Sequence, residues 1–296
     1  MGEALSGAAG EAVSDGGRRI PRIEVRDVYF HYTAGLPVLK GVSLDLGPGA
    51  TAVIGQNGAG KSTFARLLNG LLKPVSGEVR VGGVSTRGVT VATLARSVGL
   101  VFQNPSDQLF RNRVLDELTF GPLNLGVSRE EAVLRARRAL AEVGLEGRAE
   151  RHPYDLGLAE RKLVTVASVL TMQTPVVILD EPTIAQDRSA VRQLGEIILR
   201  LRDAGRMVLT ISHDMDFVAR YFRRLLVFKD GEVFADGDVA SLFGQVEMLA
   251  EAGLAVPQIT RLGQALGLSR TVLSAEEFAA VVSRQKRPPS TPMIQN

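Results

Sequence analysis

A glycine-rich segment between a predicted strand and a predicted helix constrains the fold of this chain more than any other feature. The segment reads GQNGAGKST from Gly55 to Thr63 and fits the pattern G-x-x-x-x-G-K-[ST] at every required position. Residues 50–54 are short, apolar and β-branched, which predicts a buried strand, and residues 64–68 predict a helix. This order of elements is typical of a phosphate-binding loop in an α/β fold.

The residue types in this loop suit the binding of a nucleotide and Mg²⁺. Gly55, Gly58 and Gly60 permit positive φ angles and let main-chain N–H groups approach phosphates closely. The following helix directs its positive end at the same anion. Lys61 supplies a point charge for the β- and γ-phosphates, and Ser62 offers Mg²⁺ a hard oxygen ligand. The residues expected to contact the nucleotide are Gly55, Asn57, Gly58, Ala59, Gly60, Lys61, Ser62 and Thr63.

The composition narrows the class of protein. The chain has 296 residues, of which 45% are hydrophobic and 23% charged, so we expect a packed globular core. A net charge of only +3 argues against a broad nucleic-acid-binding surface, and the absence of cysteine excludes disulfides and thiolate metal sites. We find no signal peptide, and the most apolar stretch, residues 163–179, is too interrupted to cross a bilayer. We expect a soluble protein, or one attached to a membrane only through a partner.

The hydrophobic pattern predicts strands and helices in an α/β order. Strands are predicted at 38–46, 50–54, 78–81, 98–102, 176–179, 207–211, 224–228 and 232–235, with a strand-pair region at 23–32. The pattern turns helical from Val114 to about Leu170. Helices are predicted at 64–68, 128–143, 158–171, 189–203, 241–252, 258–266 and 278–282. Two buried strands that flank a helix imply a parallel sheet.

Two carboxylates follow the apolar strand predicted at 176–179. Asp180 is placed to hold Mg²⁺, and Glu181 is placed to position or deprotonate an attacking water. Such a pair on its own is a weak signal, because a solvated strand end carries carboxylates too. Downstream of a phosphate loop, and followed by Pro182 and Thr183, it indicates the second half of a nucleotide site.

With these motifs in this order, the chain resembles the nucleotide-binding subunit of ATP-binding cassette (ABC) transporters over about residues 23–240. The resemblance implies an ATPase with an α/β, P-loop NTPase fold. That fold has a RecA-like core, an antiparallel β subdomain, an inserted α-helical subdomain and a small C-terminal helical extension. The implied division is a disordered leader at 1–20, the ATPase domain at 21–240 with its helical subdomain at about 111–172, the extension at 241–284 and a flexible tail at 285–296.

The resemblance also assigns roles to single residues outside the phosphate loop. Tyr32 matches the aromatic residue that stacks on adenine, although a tyrosine here could also belong to the core or a strand edge. Gln103 matches the Q-loop glutamine, Asp187 the D-loop aspartate, and His213 the switch histidine at the γ-phosphate. The implied catalytic residues are Glu181, His213 and Gln103, and the implied ligands of Mg²⁺ are Ser62, Gln103 and Asp180.

Within that family the chain is most similar to the energy-coupling factor (ECF) class, which imports vitamins or transition-metal ions. The similarity lies in an extended Q-loop at 103–110, a D-loop variant at 180–187 and the C-terminal extension from residue 252 onward. It implies a second ABC ATPase subunit, an integral-membrane coupling protein and a substrate-binding membrane protein as partners, and a peripheral position on the cytoplasmic face of the membrane. The extension could dimerise or could form a cap over the core.

One motif departs from the family pattern. The family signature LSGGQ lies on a helix N-terminus, about two dozen residues before the aspartate that corresponds to Asp180 here. At that place this chain has Leu156, Gly157, Leu158, Ala159 and Glu160. In the family this segment contacts the γ-phosphate of ATP held by the opposite subunit. Gly157 lacks the hydroxyl whose hydrogen bond to a charged group is worth roughly 1.5–3 kcal/mol. Glu160 adds a negative charge there unless it points away or finds a cation such as Arg161 or Lys162.

The phosphate loop, the two carboxylates and the switch histidine are intact, whereas the signature is weak. This contrast predicts a chain that works best opposite a different ATPase subunit with a stronger signature. The alternative is that LGLAE is a functional variant in a homodimer. Two further functions stay open, namely a soluble ABC ATPase of translation or DNA repair and a regulatory subunit with little turnover. The former usually has paired cassettes or long coiled-coil insertions, which this chain lacks. Intact Glu181 and His213 argue against the latter, whereas Leu158 and Ala159 leave it open.

Overall fold

The computed structural model describes residues 14–15, 18–19 and 21–285. The rest of the predicted leader, and the predicted tail beyond residue 285, lie outside the described residues. In chain order the strands are β1 (Ser14–Asp15), β2 (Arg18–Arg19), β3 (Ile23–His31), β4 (Pro37–Leu46), β5 (Gly49–Gly55), β6 (Ser76–Val81), β7 (Val84–Ser85), β8 (Val98–Val101), β9 (Val176–Asp180), β10 (Met207–Ile211), β11 (Arg224–Lys229) and β12 (Glu232–Asp238). The helices are α1 (Lys61–Leu68), α2 (Val91–Leu94), α3 (Val114–Asn124), α4 (Arg129–Glu142), α5 (Leu158–Met172), α6 (Arg188–Asp203), α7 (Met215–Tyr221), α8 (Val239–Phe243), α9 (Val246–Glu251), α10 (Gln258–Ala265) and α11 (Ala275–Gln285).

A six-stranded sheet with the order β12-β11-β5-β10-β9-β8 forms the centre of the described part of the chain. Its five strands from β11 to β8 run parallel, and β12 pairs antiparallel with β11 at one edge. Strand β9 is buried along its whole length. Val177 and Leu179 pack into one core cluster, whereas Val176 and Ile178 pack into the other. The predicted parallel sheet is therefore confirmed, because an apolar strand buried on both faces needs a layer on each side.

A smaller antiparallel sheet with the order β4-β3-β6-β7 covers one face of the central sheet. The pair of strands predicted at 23–32 is wrong, because β3 is one strand whose partners are β4 and β6. The pairing of β3 with β4 shifts register between Val25 and Val28, and Asp27 in this stretch has a φ of 47°. This irregularity in the ladder interrupts the alternation of apolar residues in the sequence.

The other face of the central sheet is covered mainly by helices. Ser128 and Ser274 cap the helices that follow them, because their side chains accept hydrogen bonds from Glu131 N–H and Glu277 N–H. Helix α1 begins at Lys61, earlier than predicted, so the last residues of the glycine-rich motif are themselves helical. Helix α7 was not predicted. Taken together, the two sheets and the helices confirm the predicted α/β cassette fold.

The C-terminal extension begins with two helices rather than the single helix predicted at 241–252. Helix α8 ends before Gly244, and α9 starts after Gln245, whose backbone is not helical. Both helices contribute buried residues to the main core, among them Phe243 and Leu249. This part of the extension therefore caps the core, whereas dimerisation by α10 and α11 stays a prediction.

Candidate functional site

A cavity of about 470 Å³ opens where the carboxyl ends of β5, β9 and β10 meet the start of α1. This is the edge at which parallel α/β sheets bind ligands. The cavity joins the phosphate loop to residues that lie far apart in the sequence. Its lining residues are Tyr32, Val38, Asn57, Gly58, Gly60, Lys61, Ser62, Thr63, Gln103, Glu181 and His213.

The backbone of the glycine-rich loop adopts the conformation that its residue types predict. Gly55, Gly58 and Gly60 have φ angles of 154°, 84° and 95°. A side chain at Gly55 would overlap the carbonyl oxygen of Phe228, so this glycine permits the close approach of β11. Around Gly58 no atom would lie within 4 Å of an added Cβ, so the loop is open towards the cavity. Ala59 is buried in the core, which leaves only its main chain for contact with a phosphate.

Lys61 holds its ammonium group over this loop. Its Nζ atom donates hydrogen bonds to the carbonyl oxygens of Gly55 at 2.7 Å and Gln56 at 2.8 Å. Burial lowers the pKa of Lys61, while the nearby Glu181 and Asp180 act in the opposite direction. The cation is thus prepositioned over the glycine-rich loop, which is what an incoming polyphosphate requires.

Glu181 lies at the end of β9 in a strained and buried position. Its φ of 50° is unusual for a residue with a side chain, and such strain often marks functional sites. Its Oε2 atom accepts a hydrogen bond from His213 N–H at 3.3 Å. Burial, and then the charge of Asp180, raise the pKa of Glu181 to about 7. A carboxyl group with this pKa can accept a proton near neutral pH.

The imidazole of His213 meets Glu181 at the mouth of the cavity. Its Nε2 atom lies 3.0 Å from Oε1 of Glu181, close enough for an ion pair when the histidine is protonated. Although the atoms are close, Oε1 accepts no hydrogen bond. Burial and the charge of Lys61 lower the pKa of His213, which favours the neutral ring. The histidine is therefore free to donate to, or accept from, a group that enters the cavity.

Asp180 offers a place for a cation. Its Oδ1 atom is buried and has no hydrogen-bond partner. Burial raises the pKa of Asp180, while a hydrogen bond from the side chain of Ser62 opposes this effect. An orphaned carboxylate oxygen beside a hydroxyl matches the hard oxygen ligands that Mg²⁺ takes next to phosphates. The residues present thus fit the predicted metal.

Tyr32 and Gln103 lie on the rim of the same cavity. The Tyr32 ring is exposed, packs edge-on against Phe30, and is tied by its hydroxyl to Oγ1 of Thr63 at 3.1 Å. A ring held at its tip and edge leaves a face available for stacking on a base. Gln103 lines the cavity and is exposed, just beyond the end of β8.

Sequence reasoning missed the role of Lys162, a buried cation one helical turn into α5. Its Nζ atom donates to the main-chain oxygens of Phe102, Gln103 and Asp180 at 2.7, 2.9 and 2.8 Å. Burial lowers its pKa to about 8. The available signal was a lysine among apolar residues of a helix, since lysine is almost never fully buried without partners.

The LGLAE segment at 156–160 does not line this cavity. Leu156 is buried in the core, whereas the side chain of Leu158 at the start of α5 is exposed. Gly157 precedes α5 with open space around it. The start of α5 therefore lies outside the cavity formed by the nucleotide loop of its own chain.

Two polar contacts hold this segment in place. The carboxylate of Glu160 accepts a hydrogen bond from Arg148 at 2.7 Å and from Gly157 N–H at 3.4 Å. The cations considered from the sequence, Arg161 and Lys162, are therefore not its partners. The carbonyl of Ala159 accepts from Nε2 of Gln186 at 3.1 Å, which links the segment to the D-loop.

Asp187 lies outside the cavity and has a local structural role. Its Oδ1 atom accepts a hydrogen bond from Ala190 N–H at 2.8 Å and so caps α6. A role at a second subunit stays a prediction. Among the helices that the structure describes, none has the length and apolar character needed to cross a membrane.

Comparison with known proteins shows the family of this chain. The family model described as "ABC transporter" matches residues 39–184. A putative ABC transporter ATP-binding protein of Pyrococcus furiosus is 40% identical over 86% of this chain and 97% of its own length. The energy-coupling factor transporter ATP-binding protein EcfA of Methanocaldococcus jannaschii is 36% identical over 81% of this chain and 87% of its own length.

A solved structure of an ABC transporter protein also resembles this chain. The protein cbiO1 of Clostridium perfringens, part of the ABC transporter complex cbiONQ, superposes with a TM-score of 0.67 at 30% identity. The match covers 83% of this chain and 98% of that protein. The chain therefore belongs to the ABC transporter family, as one of its ATP-binding and ATP-hydrolysing subunits.

Proposed function

We propose that this chain powers a membrane importer of the ECF type. The observation that carries the proposal is the cavity that joins Lys61, Glu181 and His213 while excluding the LGLAE segment. A site with catalytic groups but without its own signature needs a second ATPase subunit. The similarity to EcfA and cbiO1 supports the ECF class and, within it, uptake of a vitamin or a transition-metal ion.

Hydrolysis follows from the positions of the residues in the cavity. Glu181 takes a proton from a water molecule as the water oxygen bonds to the γ-phosphorus and the bond to the β-phosphate oxygen breaks. The products are ADP and phosphate. His213 contacts the γ-phosphate, and the Lys61 ammonium balances its charge. Ser62, Asp180 and Gln103 would hold Mg²⁺, which would supply charge neutralisation for the transferred group.

The adenine base stacks on the exposed ring of Tyr32. The phosphates lie in the loop from Gly55 to Thr63, where open main-chain N–H groups and the start of α1 face the cavity. With this arrangement one subunit binds ATP and leaves the γ-phosphate accessible to the opposite subunit. A signature segment of the opposite subunit then closes the site.

The chain works opposite a second ATPase with a fuller signature. Gly157 lacks a hydroxyl, and the exposed Leu158 adds apolar bulk at the helix end that meets the opposite nucleotide. One composite site is then fully active and the other partly degenerate. An integral-membrane coupling protein docks through the segment around Gln103, which places the complex on the cytoplasmic face of the membrane. A separate membrane protein selects the substrate.

The test is the ATPase rate against protein concentration for the purified chain and its Glu181→Gln variant. If the ATPase rate stays low at every protein concentration although the chain binds ATP, the need for a different subunit is supported. A rate that rises steeply with concentration and is lost in the variant shows a competent homodimer, and the heterodimer is then excluded. Adding the coupling protein from the same organism should raise the rate. No response in any combination would favour a regulatory subunit instead.

A further inference from the structure

The C-terminal extension touches the phosphate loop at the turn that ends α9. Gly253 has a φ of 65°, and its N–H donates to the carbonyl of Ala250 at 2.8 Å. Leu254 N–H donates to the carbonyl of Leu249 at 2.9 Å. These two bonds form a glycine C-cap of the Schellman type. Ala252 and Leu249 are buried in the main core, so the turn is firmly anchored.

The face of this glycine lies against Gln56, the second residue of the phosphate loop. A Cβ on Gly253 would overlap Nε2 of Gln56 and would lie 2.6 Å from its Cδ and 3.1 Å from its Cγ. Any side chain at this position must displace the exposed side-chain amide of Gln56. The left-handed backbone explains a glycine at a helix end, but it does not explain this close contact.

Gln56 in turn contacts Lys61, the lysine of the phosphate loop. Its carbonyl oxygen accepts from Nζ of Lys61 at 2.8 Å and from Ala59 N–H at 3.2 Å. The contacts therefore run without a gap from the anchored turn at Gly253, through Gln56, to the ammonium group that meets the phosphates. The side chain of Gln56 packs on the turn, and its main-chain carbonyl is one of the two on which that ammonium rests.

We propose that the turn at Gly253 positions the phosphate loop, so that the C-terminal extension sets the affinity of the chain for ATP. Gly253 acts through Gln56 and is a positioning residue. Because the coupling is reciprocal, binding of ATP also stabilises the turn and the end of α9. The proposal depends on ATP binding at the loop and is independent of the ECF assignment.

The chain contains a matched control for this glycine. Gly267 follows α10 with a φ of 67°, and its N–H donates to the carbonyl of Gln264 at 2.9 Å. The next residue, Leu268, donates to the carbonyl of Gly263 at 3.0 Å. No atom lies within 4 Å of a Cβ at Gly267. Alanine at either glycine thus meets the same backbone strain, and only alanine at Gly253 meets the loop.

The experiment compares four variants with the unmodified chain. They are Gly253→Ala, Gly267→Ala, Gln56→Ala and the double variant that combines Gly253→Ala and Gln56→Ala. Binding of a fluorescent ATP analogue and the KM for ATP are measured, together with Tm. We expect Gly253→Ala to weaken ATP binding by about tenfold, which is the scale of one charge-assisted hydrogen bond. Gly267→Ala should bind as the unmodified chain does. The double variant should bind within about twofold of Gln56→Ala alone, because the overlapping atoms are gone.

Equal ATP affinity in the two glycine variants, or no rescue in the double variant, would overturn the proposal. A loss of Tm alone, similar in both variants, would show a purely structural turn. Hydrogen exchange of the unmodified chain covers the case in which Gly253→Ala does not fold. ATP should then slow exchange at residues 249–256 and leave residues 263–268 unchanged, and an unchanged rate at 249–256 contradicts the coupling.

Discussion

The ammonium group of Lys162 donates a hydrogen bond to the main-chain oxygen of Asp180 at 2.8 Å, from a helix that starts in the LGLAE segment. The same nitrogen donates to the carbonyls of Phe102 and Gln103. One side chain therefore joins the signature helix, the Q-loop and the end of β9. This contact therefore ties the position of α5 to the end of β9, where Asp180 and Glu181 lie.

Replacement of Lys162 by methionine should separate catalysis from ATP binding. Three carbonyls lose their donor, and each buried acceptor left unsatisfied costs about 1–3 kcal/mol. We expect a lower Tm and a kcat reduced at least about tenfold, with a smaller change in ATP affinity because the phosphate loop is untouched. Lys229→Met, the same change at a half-buried lysine of β11, is the control. An equal loss in both variants would remove any special role for Lys162.

The raised pKa of Glu181 predicts how stability depends on pH in the protein without nucleotide and Mg²⁺. The pKa lies at about 7 in the folded chain and at 4.5 ordinarily, so the folded state binds the proton more tightly. The charged carboxylate thus opposes folding, and this cost grows from about pH 4.5 to a full value above pH 7. Glu181→Gln removes the cost and should stabilise the chain by on the order of 2 kcal/mol near pH 8, with little gain near pH 5.

Thermal unfolding of the two proteins at both pH values tests this prediction. Glu196→Gln is the control for the loss of one negative charge, because Glu196 is exposed on α6. A stabilisation by Glu181→Gln that is the same at both pH values would show that burial does not raise the pKa of this carboxyl.

Restoring the signature hydroxyl with Gly157→Ser should be tolerated and should raise turnover. A Cβ at Gly157 meets no atom within 4 Å, and serine is a good residue at a helix N-cap. We expect an unchanged or slightly higher Tm and a rate up to about tenfold higher in the dimer that uses this segment. Gly147→Ser, also in open space, is the control. An unchanged rate would mean that LGLAE already supports full turnover.

The ion pair between Arg148 and Glu160 should matter for closure rather than for folding. Exposed pairs stabilise proteins by about 0–1 kcal/mol, so Arg148→Gln should change Tm only slightly. The variant frees a negative charge at the helix end that we propose meets the opposite ATP, and we expect turnover of the assembled complex to fall several-fold. Adding Glu160→Gln should restore it. A rate that stays low in the double variant would point to another role for Arg148.

The sequence predicted the nucleotide site largely from local signals. The glycine-rich loop, the carboxylates after β9 and His213 after β10 each follow an apolar strand, and parallel strands bring their carboxyl ends to one edge. Local signals were less informative for elements whose bounds depend on packing against distant parts of the chain. Helix α7 lacks a strong periodic pattern, and the break between α8 and α9 arises because both helices bury residues against the core.

The sequence by itself determined the cassette fold, the place of the phosphate loop and the identity of the carboxylates, because these rest on short motifs with strong backbone requirements. Only the tertiary structure decided the partner of Glu160, the buried position of Lys162 and the contact between Gly253 and Gln56. Each of these joins residues from elements that no local pattern pairs. The physical reason is that charge pairing and close packing depend on distance in space, which emerges only when the sheets and helices are assembled.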